Sequence, residues 1–312
     1  RASRRRASWP ASLPPAATSP VNAQRMLRRA AFVTGGASGL GRAVVERLAG
    51  SGMAVAVADL PLAADAAMEL VASLPAGKAE FFPLDVRDEA AVSGALDAAL
   101  ERLGPLRAAV SCAGVATPGK VLGKRGPLAL EAFRGVLDVN AVGTFNVLRL
   151  AAERMSANEP DEHGQRGVIV NTASIAAFEG QARGRARDRR APPGFGPAAA
   201  PTCAPIRAPC TQIGQAAYAA SKAAVVGMTL PAARELAAHG IRVMAVAPGL
   251  FATPLLAGLP PAVQDELGAT VPFPPRLGRP EEFAQLVEDI LDNPMLNGGV
   301  VRLDGALRMT PT

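Results

Sequence analysis

The 312-residue sequence predicts an α/β domain built on a doubly wound parallel sheet of about seven strands, with helices on both faces. Three observations carry this. Short apolar runs alternate with longer stretches of helical periodicity. The runs are nearly continuous in apolar residues, and the first of them passes straight into a glycine-rich turn that opens a helix. A strand without a polar side is one buried on both faces, which requires a helix layer above and below the sheet. A tight turn after the first strand then sets a ligand crevice at the carboxyl ends of the strands, the arrangement of a Rossmann-type single domain.

Taken in order, the runs at 30–34 (AAFVT), 54–58 (AVAVA), 79–84, 106–111 (LRAAVS), 167–172 (GVIVNT), 241–247 (IRVMAVA) and 299–303 (GVVRL) read as strands. Helical patterns occupy 40–50, 62–73, 88–103, 129–156, 216–238 and 280–291. With one Trp and one Tyr in the chain, the core must be made of Ala, Val and Leu. No apolar run approaches the roughly 18 residues of a membrane span.

Two segments do not read as domain. Residues 1–29 are rich in Arg and Ser and contain no acid, the composition of an organellar transit peptide. This gives an expected organellar location. The alternative is a start at Met26, with a cytoplasmic protein. Residues 182–212 hold six Pro, six Arg and few large apolar side chains, and read as a disordered insertion. The domain is therefore expected over 30–312, interrupted at 182–212.

These segments also explain the charge. The chain carries a net +6, but 1–30 hold seven Arg and no acid, and 182–212 hold six Arg and one acid. What remains has 20 basic and 26 acidic residues, so the body itself is mildly acidic and a nucleic-acid surface on it is not indicated. Three cysteines, two of them in the insertion, form no disulfide framework, and two isolated histidines form no metal pattern.

The first strand runs into TGGASGLG, Thr34 to Gly41. Gly35, Gly39 and Gly41 let the backbone turn tightly and approach a pyrophosphate at the helix N-terminus. Asp59, ending the second strand, would bind ribose hydroxyls and repel a 2′-phosphate, so NAD is expected over NADP. Ser38 stands where an Arg often meets that phosphate. Asp85 and Val86 follow the third strand, and Cys112, Ala113 and Gly114 the fourth, all at carboxyl ends where ligands sit.

Tyr218 and Lys222 are four apart on a helix and share one face. A buried ammonium beside a phenol favours phenolate and draws its pKa from about 10 toward neutrality, which suits proton transfer with an alcohol oxygen. A surface Tyr with a solvated Lys is the other reading, but small residues surround this pair (AAYAASKAA) and let another element approach. Ser174, ending VIVNTAS, can donate to a developing oxyanion or cap a helix. Asn140, in DVNAVGTFNV, can bind backbone or water.

Together TGGASGLG, SCAG, Asn140, Ser174, Tyr218-x-x-x-Lys222 and APGLFATPL resemble the short-chain dehydrogenase/reductase family over roughly 30–181 and 213–312. Longer strings such as LDVNAVGTFNVLRLAAERM and VPFPPRLGRPEEFAQLV resemble its mitochondrial branch that oxidises 3-hydroxyacyl-CoA thioesters, including intermediates of fatty-acid and isoleucine breakdown, and also hydroxysteroids. The resemblance implies Tyr218 as acid/base, Lys222 as its pKa partner and ribose ligand, Ser174 as substrate contact and Asn140 as anchor of a water relay to Lys222. It implies NAD contacts at Ser38, Leu40, Asp59, Asp85, Val86, Cys112, Pro248, Phe251 and Thr253, and substrate contacts at Gln181 and Gln215. Cys112 replaces the Asn usual in the family at that position. A homotetramer and a mitochondrial location are implied as well. The alternatives are a 3-oxoacyl-thioester reductase or steroid dehydrogenase of the same fold, or a non-catalytic scaffold in mitochondrial tRNA processing.

The departure is in spacing. Ser174 and Tyr218 are 44 apart, where the family has about 13, and removing the 31 residues of 182–212 restores that register. The insertion has sharp edges and a whole number of codons, so it reads as translated intron sequence. If the segment is present in the protein, misplacement of Tyr218 would lower or abolish turnover while NAD binding is retained.

Overall fold

The computed structural model describes residues 30–124, 126–178 and 214–308; the leader, Gln181 and 182–212 lie outside them. Seven parallel strands form one sheet: β1 (Ala30–Thr34), β2 (Ala54–Asp59), β3 (Ala79–Pro83), β4 (Leu106–Ser111), β7 (Gly167–Thr172), β8 (Ile241–Pro248) and β9 (Val300–Leu303). Their order is β3-β2-β1-β4-β7-β8-β9. Each expected strand is present, displaced by no more than a residue at either end.

The sheet reverses direction of growth between β1 and β4, and a crevice must open there because the connections leave on opposite sides. Alternate residues feed two cores. On one face Ala31 and Val33 of β1, Val55 and Val57 of β2 and Val110 of β4 meet α1 (Gly39–Gly50) through Val44, Val45 and Leu48, and α9 (Pro280–Asp292) through Phe283, Val287 and Ile290. On the other, Phe32, Ala56, Ala109 and Ile169 meet α3 (Glu89–Leu103) through Val92 and Leu96, and α5 (Thr144–Ser156) through Val147, Ala151 and Met155. Each fully buried Val, Leu, Ile or Phe stabilises by about 1.5–3 kcal/mol, which is why a two-sided apolar strand locates itself unambiguously. Helices α2 (Ala64–Ser73) and α6 (Ala216–Leu236) complete the layers.

The helix expected over 129–156 is three pieces. Between α4 (Leu130–Leu137) and α5 lies a π-helical turn, Asp138–Gly143. The widened turn displaces Asn140, whose carbonyl accepts from the Thr144 hydroxyl at 2.7 Å. Val86 packs where Gly143 has no side chain: a Cβ there would lie 2.5 Å from Val86 Cγ2. A two-stranded hairpin, β5 (Leu122–Gly123) with β6 (Gly126–Pro127), and two short helices, α7 (Pro254–Ala257) and α8 (Pro261–Ala269), were not expected. Among the described residues no helix is long and apolar enough to cross a membrane.

Candidate active site

The turn from β1 into α1 is built by contact. Gly35 has φ +65°, and a Cβ on it would stand 2.7 Å from the Ala113 nitrogen, so the two strand-end loops meet backbone to backbone. A Cβ on Gly41 would lie 2.1 Å from the Gly35 carbonyl oxygen, so the first helical turn folds down onto its own approach. Ser38 N-caps α1 in extended conformation without a side-chain cap bond, which leaves its exposed hydroxyl and the first-turn N–H groups directed at the crevice. Such a helix start, free of a capping side chain and closely approached by backbone, fits a pyrophosphate.

Asp59 ends β2, and its carboxylate accepts from the Ala37 N–H at 3.0 Å and the Leu60 N–H at 2.8 Å. It is thereby fixed against the glycine turn. One strand further out, Asp85 is gripped by Arg87, whose hydrogen bonds hold the carboxyl below the usual carboxylate range. Val86 is buried, and its carbonyl accepts from Asn146 at 2.9 Å.

At the other end, Ser174 caps a 3₁₀ turn (Ile175–Ala177), accepting from the Ala176 N–H at 3.2 Å, and is hydrogen-bonded to Tyr218. The capping role is thus filled, with the Tyr218 bond beside it. Lys222 is 4% exposed; its Nζ donates to the Thr172 carbonyl at 2.7 Å and lies 5.8 Å from the centroid of the Tyr218 ring. Asn140 is fully buried. Its Oδ1 accepts from the Val115 N–H at 2.8 Å, and its Nδ2 donates to the Val115 carbonyl and the Ser221 hydroxyl, both at 2.9 Å. Ser221 in turn donates to the Tyr218 carbonyl at 2.8 Å. A chain of bonds thus runs from the β4 loop through Asn140 to the backbone that carries Tyr218.

The expectation that Lys222 draws the Tyr218 phenol toward neutrality is not met in this structure. Burial pushes the phenol up, with the Ser174 bond acting against it. The physical reason is that Lys222 stands over the ring face, bonded to Thr172, and is itself desolvated: burial lowers its pKa to about 8. Burial likewise pushes the Cys112 thiol up to about 11, so it is a neutral neighbour that accepts from Thr172.

One cavity of about 600 Å³ joins the two ends. Gly35, Ser38, Gly39, Leu40, Gly41, Asp59, Asp85 and Val86 line its outer half, and Cys112, Ala113, Gly114, Ser174, Gln215, Tyr218 and Lys222 its inner half. Pro248, at the end of β8, and Phe251 and Thr253, in the loop after it, close it. Phe251 is a wall seen from its core side, since its ring is buried edge-on against Phe283 at 6.5 Å. Asn140 is behind the lining and acts on it through Val115 and Ser221. The volume lies in the range of small-molecule sites.

A family model described as short chain dehydrogenase matches residues 29–186, half of the chain. The chain belongs to the short-chain dehydrogenase family. A second model, described as enoyl-(acyl carrier protein) reductase, matches residues 202–305 of this short-chain dehydrogenase, and 187–201 fall between the two. The chain is 50% identical to a 3-hydroxyacyl-CoA dehydrogenase type-2 of Drosophila melanogaster, over 90% of this chain and 97% of that relative. It is 49% identical to a 3-hydroxyacyl-CoA dehydrogenase type-2 of Homo sapiens, over 90% and 95%. The crystal structure of a 3-hydroxyacyl-CoA dehydrogenase type-2 from Mycobacterium avium superimposes with a TM-score of 0.79 at 38% identity, covering 93% of this chain and 99% of that one. The protein is accordingly an oxidoreductase enzyme.

Sequence reasoning passed over several residues of this short-chain dehydrogenase cavity. Arg87, Val115, Ala116, Val139, Leu256 and Leu267 also line it. Arg87 follows directly on Asp85-Val86 and was within reach of the same argument. The apolar ones carry no motif, and Leu256 and Leu267 sit on the two unexpected short helices.

Proposed function

We propose that this enzyme binds NAD and reversibly oxidises the hydroxyl of a 3-hydroxyacyl-CoA thioester, with hydroxysteroids as further substrates. The observation that carries the reading is that Ser174, Tyr218 and Lys222 converge in the same cavity as the glycine turn and Asp59. The names of the relatives support the substrate class. Bound NAD would supply a hydride acceptor at the substrate carbinol carbon.

The chain's own residues do the rest. Tyr218 takes the hydroxyl proton in its phenolate form, which burial disfavours and the Ser174 bond favours. The Ser174 oxygen already accepts from Ala176, so its proton is directed to Tyr218 or to the substrate oxygen. Lys222 spends one donor on Thr172 and keeps two for the ribose and the phenolate. A Cβ on Gly114 would lie 3.2 Å from Asn140 Oδ1 and 3.5 Å from Lys222 Nζ, so both flank one glycine, which supports a relay between them. Asp59 presents negative charge where a 2′-phosphate would sit and so favours NAD.

Assay of the full chain with NAD and 3-hydroxyacyl-CoA substrates of graded length tests the reading. Absence of NADH formation with all of them would overturn it, whereas NADPH-dependent reduction would support the 3-oxoacyl-thioester reductase instead. Exposed Leu130, Val142 and Phe145 along α4, the π turn and α5 support assembly into a homotetramer, which light scattering checks. The acid-free composition of 1–29 supports delivery to the mitochondrion, which a fluorescent fusion of those residues checks. The gap at 187–201 between the two family matches falls within 182–212 and, with the restored Ser174–Tyr218 spacing, supports reading that segment as intron-derived, which sequencing of the spliced transcript checks.

A further inference from the structure

We infer that Arg87 is a positioning residue for the adenine end of the cofactor: its guanidinium fork fixes the Asp85 carboxylate in the one orientation that can accept from the purine amino group. The inference rests on the NAD reading above and extends it to a residue outside the catalytic end.

Asp85 and Arg87 belong to the loop from β3 into α3, and both line the cavity. Oδ1 of Asp85 accepts from the Arg87 backbone N–H and from Nε, each at 3.0 Å. Oδ2 accepts from Nε at 3.0 Å and from Nη2 at 2.6 Å. This is a two-pronged grip, which a planar guanidinium can make and an ammonium cannot. A carboxylate offers about four lone-pair directions. Arg87 meets the carboxylate with three N–H groups, Nε being shared between the two oxygens, so about one direction is left for a further donor from the cavity that Asp85 lines.

The topology says what meets it there. Pyrophosphate fits the turn after β1, and ribose fits Asp59 at the end of β2. The next group outward along a dinucleotide is the adenine ring, and the next strand end in the sheet order is that of β3. Adenine presents an amino donor beside a ring-nitrogen acceptor. The site presents the complement: the Asp85 carboxylate, and the Val86 backbone N–H, which has no acceptor among the described residues. The carboxylate is 30% exposed. Released from Arg87 it would rotate and hydrate, and binding would first have to restrain it.

The test is NADH binding, read by cofactor fluorescence on the full chain, for the parent, Arg87→Ala, Arg87→Lys, Asp85→Ala and the Asp85→Ala/Arg87→Ala double variant. Loss of an oriented hydrogen bond should raise Kd about three- to tenfold in Arg87→Ala. Arg87→Lys should behave like Arg87→Ala, because it keeps the charge and loses the fork. In the Asp85→Ala background Arg87→Ala should change Kd by less than about twofold, since coupled residues are not additive. Full affinity in Arg87→Lys, or equal effects of Arg87→Ala in both backgrounds, would show that Arg87 acts as a free positive charge and would overturn the inference. So would an unchanged Kd in Arg87→Ala. A parent chain that binds no NADH would instead remove the NAD reading, and this inference with it. Arg87 is half exposed, and thermal melts of each variant confirm that binding is compared between folded proteins.

Discussion

Lys222 donates from Nζ to the carbonyl of Thr172 at 2.7 Å, a bond that ties the second turn of α6 to the end of β7 from a side chain 4% exposed to solvent. An ammonium at that depth is costly to desolvate, and one carbonyl does not offset the loss of water. Nothing in the packing requires the charge. Cys112 beside it is neutral and offers no counter-charge. The cation is retained at the expense of stability, the pattern of a group kept for a site rather than for the fold.

This makes Lys222→Met a pH experiment. Burial lowers the folded pKa of Lys222 to about 8, from an ordinary 10.5. Between those values the unfolded chain holds a proton that the folded protein has released, so stability from this group rises with pH across the window. Urea unfolding should show the stability of the parent relative to Lys222→Met climbing by roughly 3 kcal/mol from pH 8 to 10.5. The variant should lack turnover throughout. A flat difference would mean that Lys222 titrates normally.

Ser174→Ala should move the pH dependence of alcohol oxidation upward. The Ser174 bond is what lowers the Tyr218 phenol against the effect of burial. Oxidation needs the phenolate, so kcat/KM rises with pH through that pKa, and loss of the bond carries the inflection to higher pH. Loss of an oxyanion donor should also cut kcat by about 10²–10³. An inflection that stays or falls in the variant contradicts the assignment.

Asn140→Ala should destabilise the fold as well as the chemistry. Its carboxamide satisfies both backbone groups of Val115 and the Ser221 hydroxyl, and the variant removes that partner from all three: Ser221 is buried but keeps its bond to the Tyr218 carbonyl, while Val115 is exposed and can turn to water. Each stranded group costs about 1–3 kcal/mol unless water reaches it. Asn140→Asp should be worse, since it loses both donors and buries a charge. Chemical denaturation of the two variants reads this directly, and parental stability in either would rule out the brace.

What the sequence disclosed, and what it did not, follows from burial. Val33, Val57, Val110 and Val170 are buried on every side, so their runs marked the strands and the strand ends marked Asp59, Asp85 and Ser174. The π turn at Asp138–Gly143 was read as plain helix because one added residue leaves the apolar repeat on either side intact. The β5–β6 hairpin carries Val121 and Leu122 well exposed, so no apolar pattern announced it. Phe251 was found by its motif, yet its ring lies in the core against Phe283, a difference that motif matching does not see. The direction of the Tyr218 shift needed the position of Lys222 over the ring, and spacing along a helix could not supply it.

Two glycines of one helix give an internal control for the cofactor turn. A Cβ on Gly41 would lie 2.1 Å from the Gly35 carbonyl oxygen, which is backbone and has nowhere to go; a Cβ on Gly50 would meet nothing within 4 Å. Gly41→Ala should therefore cost about 1–3 kcal/mol by overpacking and weaken NADH binding. Gly50→Ala should be neutral or gain up to about 1 kcal/mol from reduced chain entropy. Thermal melts with and without NADH separate the two, and equal behaviour would show that the turn tolerates a side chain.

Deletion of 182–212 bears on whether this chain turns over at full rate. Ser174 and Tyr218 stand 44 residues apart, yet they are hydrogen-bonded, so the full chain can reach the geometry the chemistry needs. Cutting the separation to 13 shortens the closed loop about threefold, worth roughly 1 kcal/mol of closure entropy, and stability should rise by about that much. Catalysis is more sensitive than folding. Displacement of Tyr218 by about 1 Å costs on the order of 100-fold in rate, so turnover falls with every fraction of time spent out of register. The cofactor contacts proposed at Gly35 and Ser38, after β1, and at Asp59, ending β2, lie far from that loop in the chain and do not depend on it. The deletion variant should therefore raise kcat on a 3-hydroxyacyl-CoA and leave the Kd for NADH within about twofold, because its cofactor contacts are independent of the segment. Equal kcat in the two proteins would mean that the segment leaves the register of Tyr218 undisturbed, and that its presence is no obstacle to catalysis.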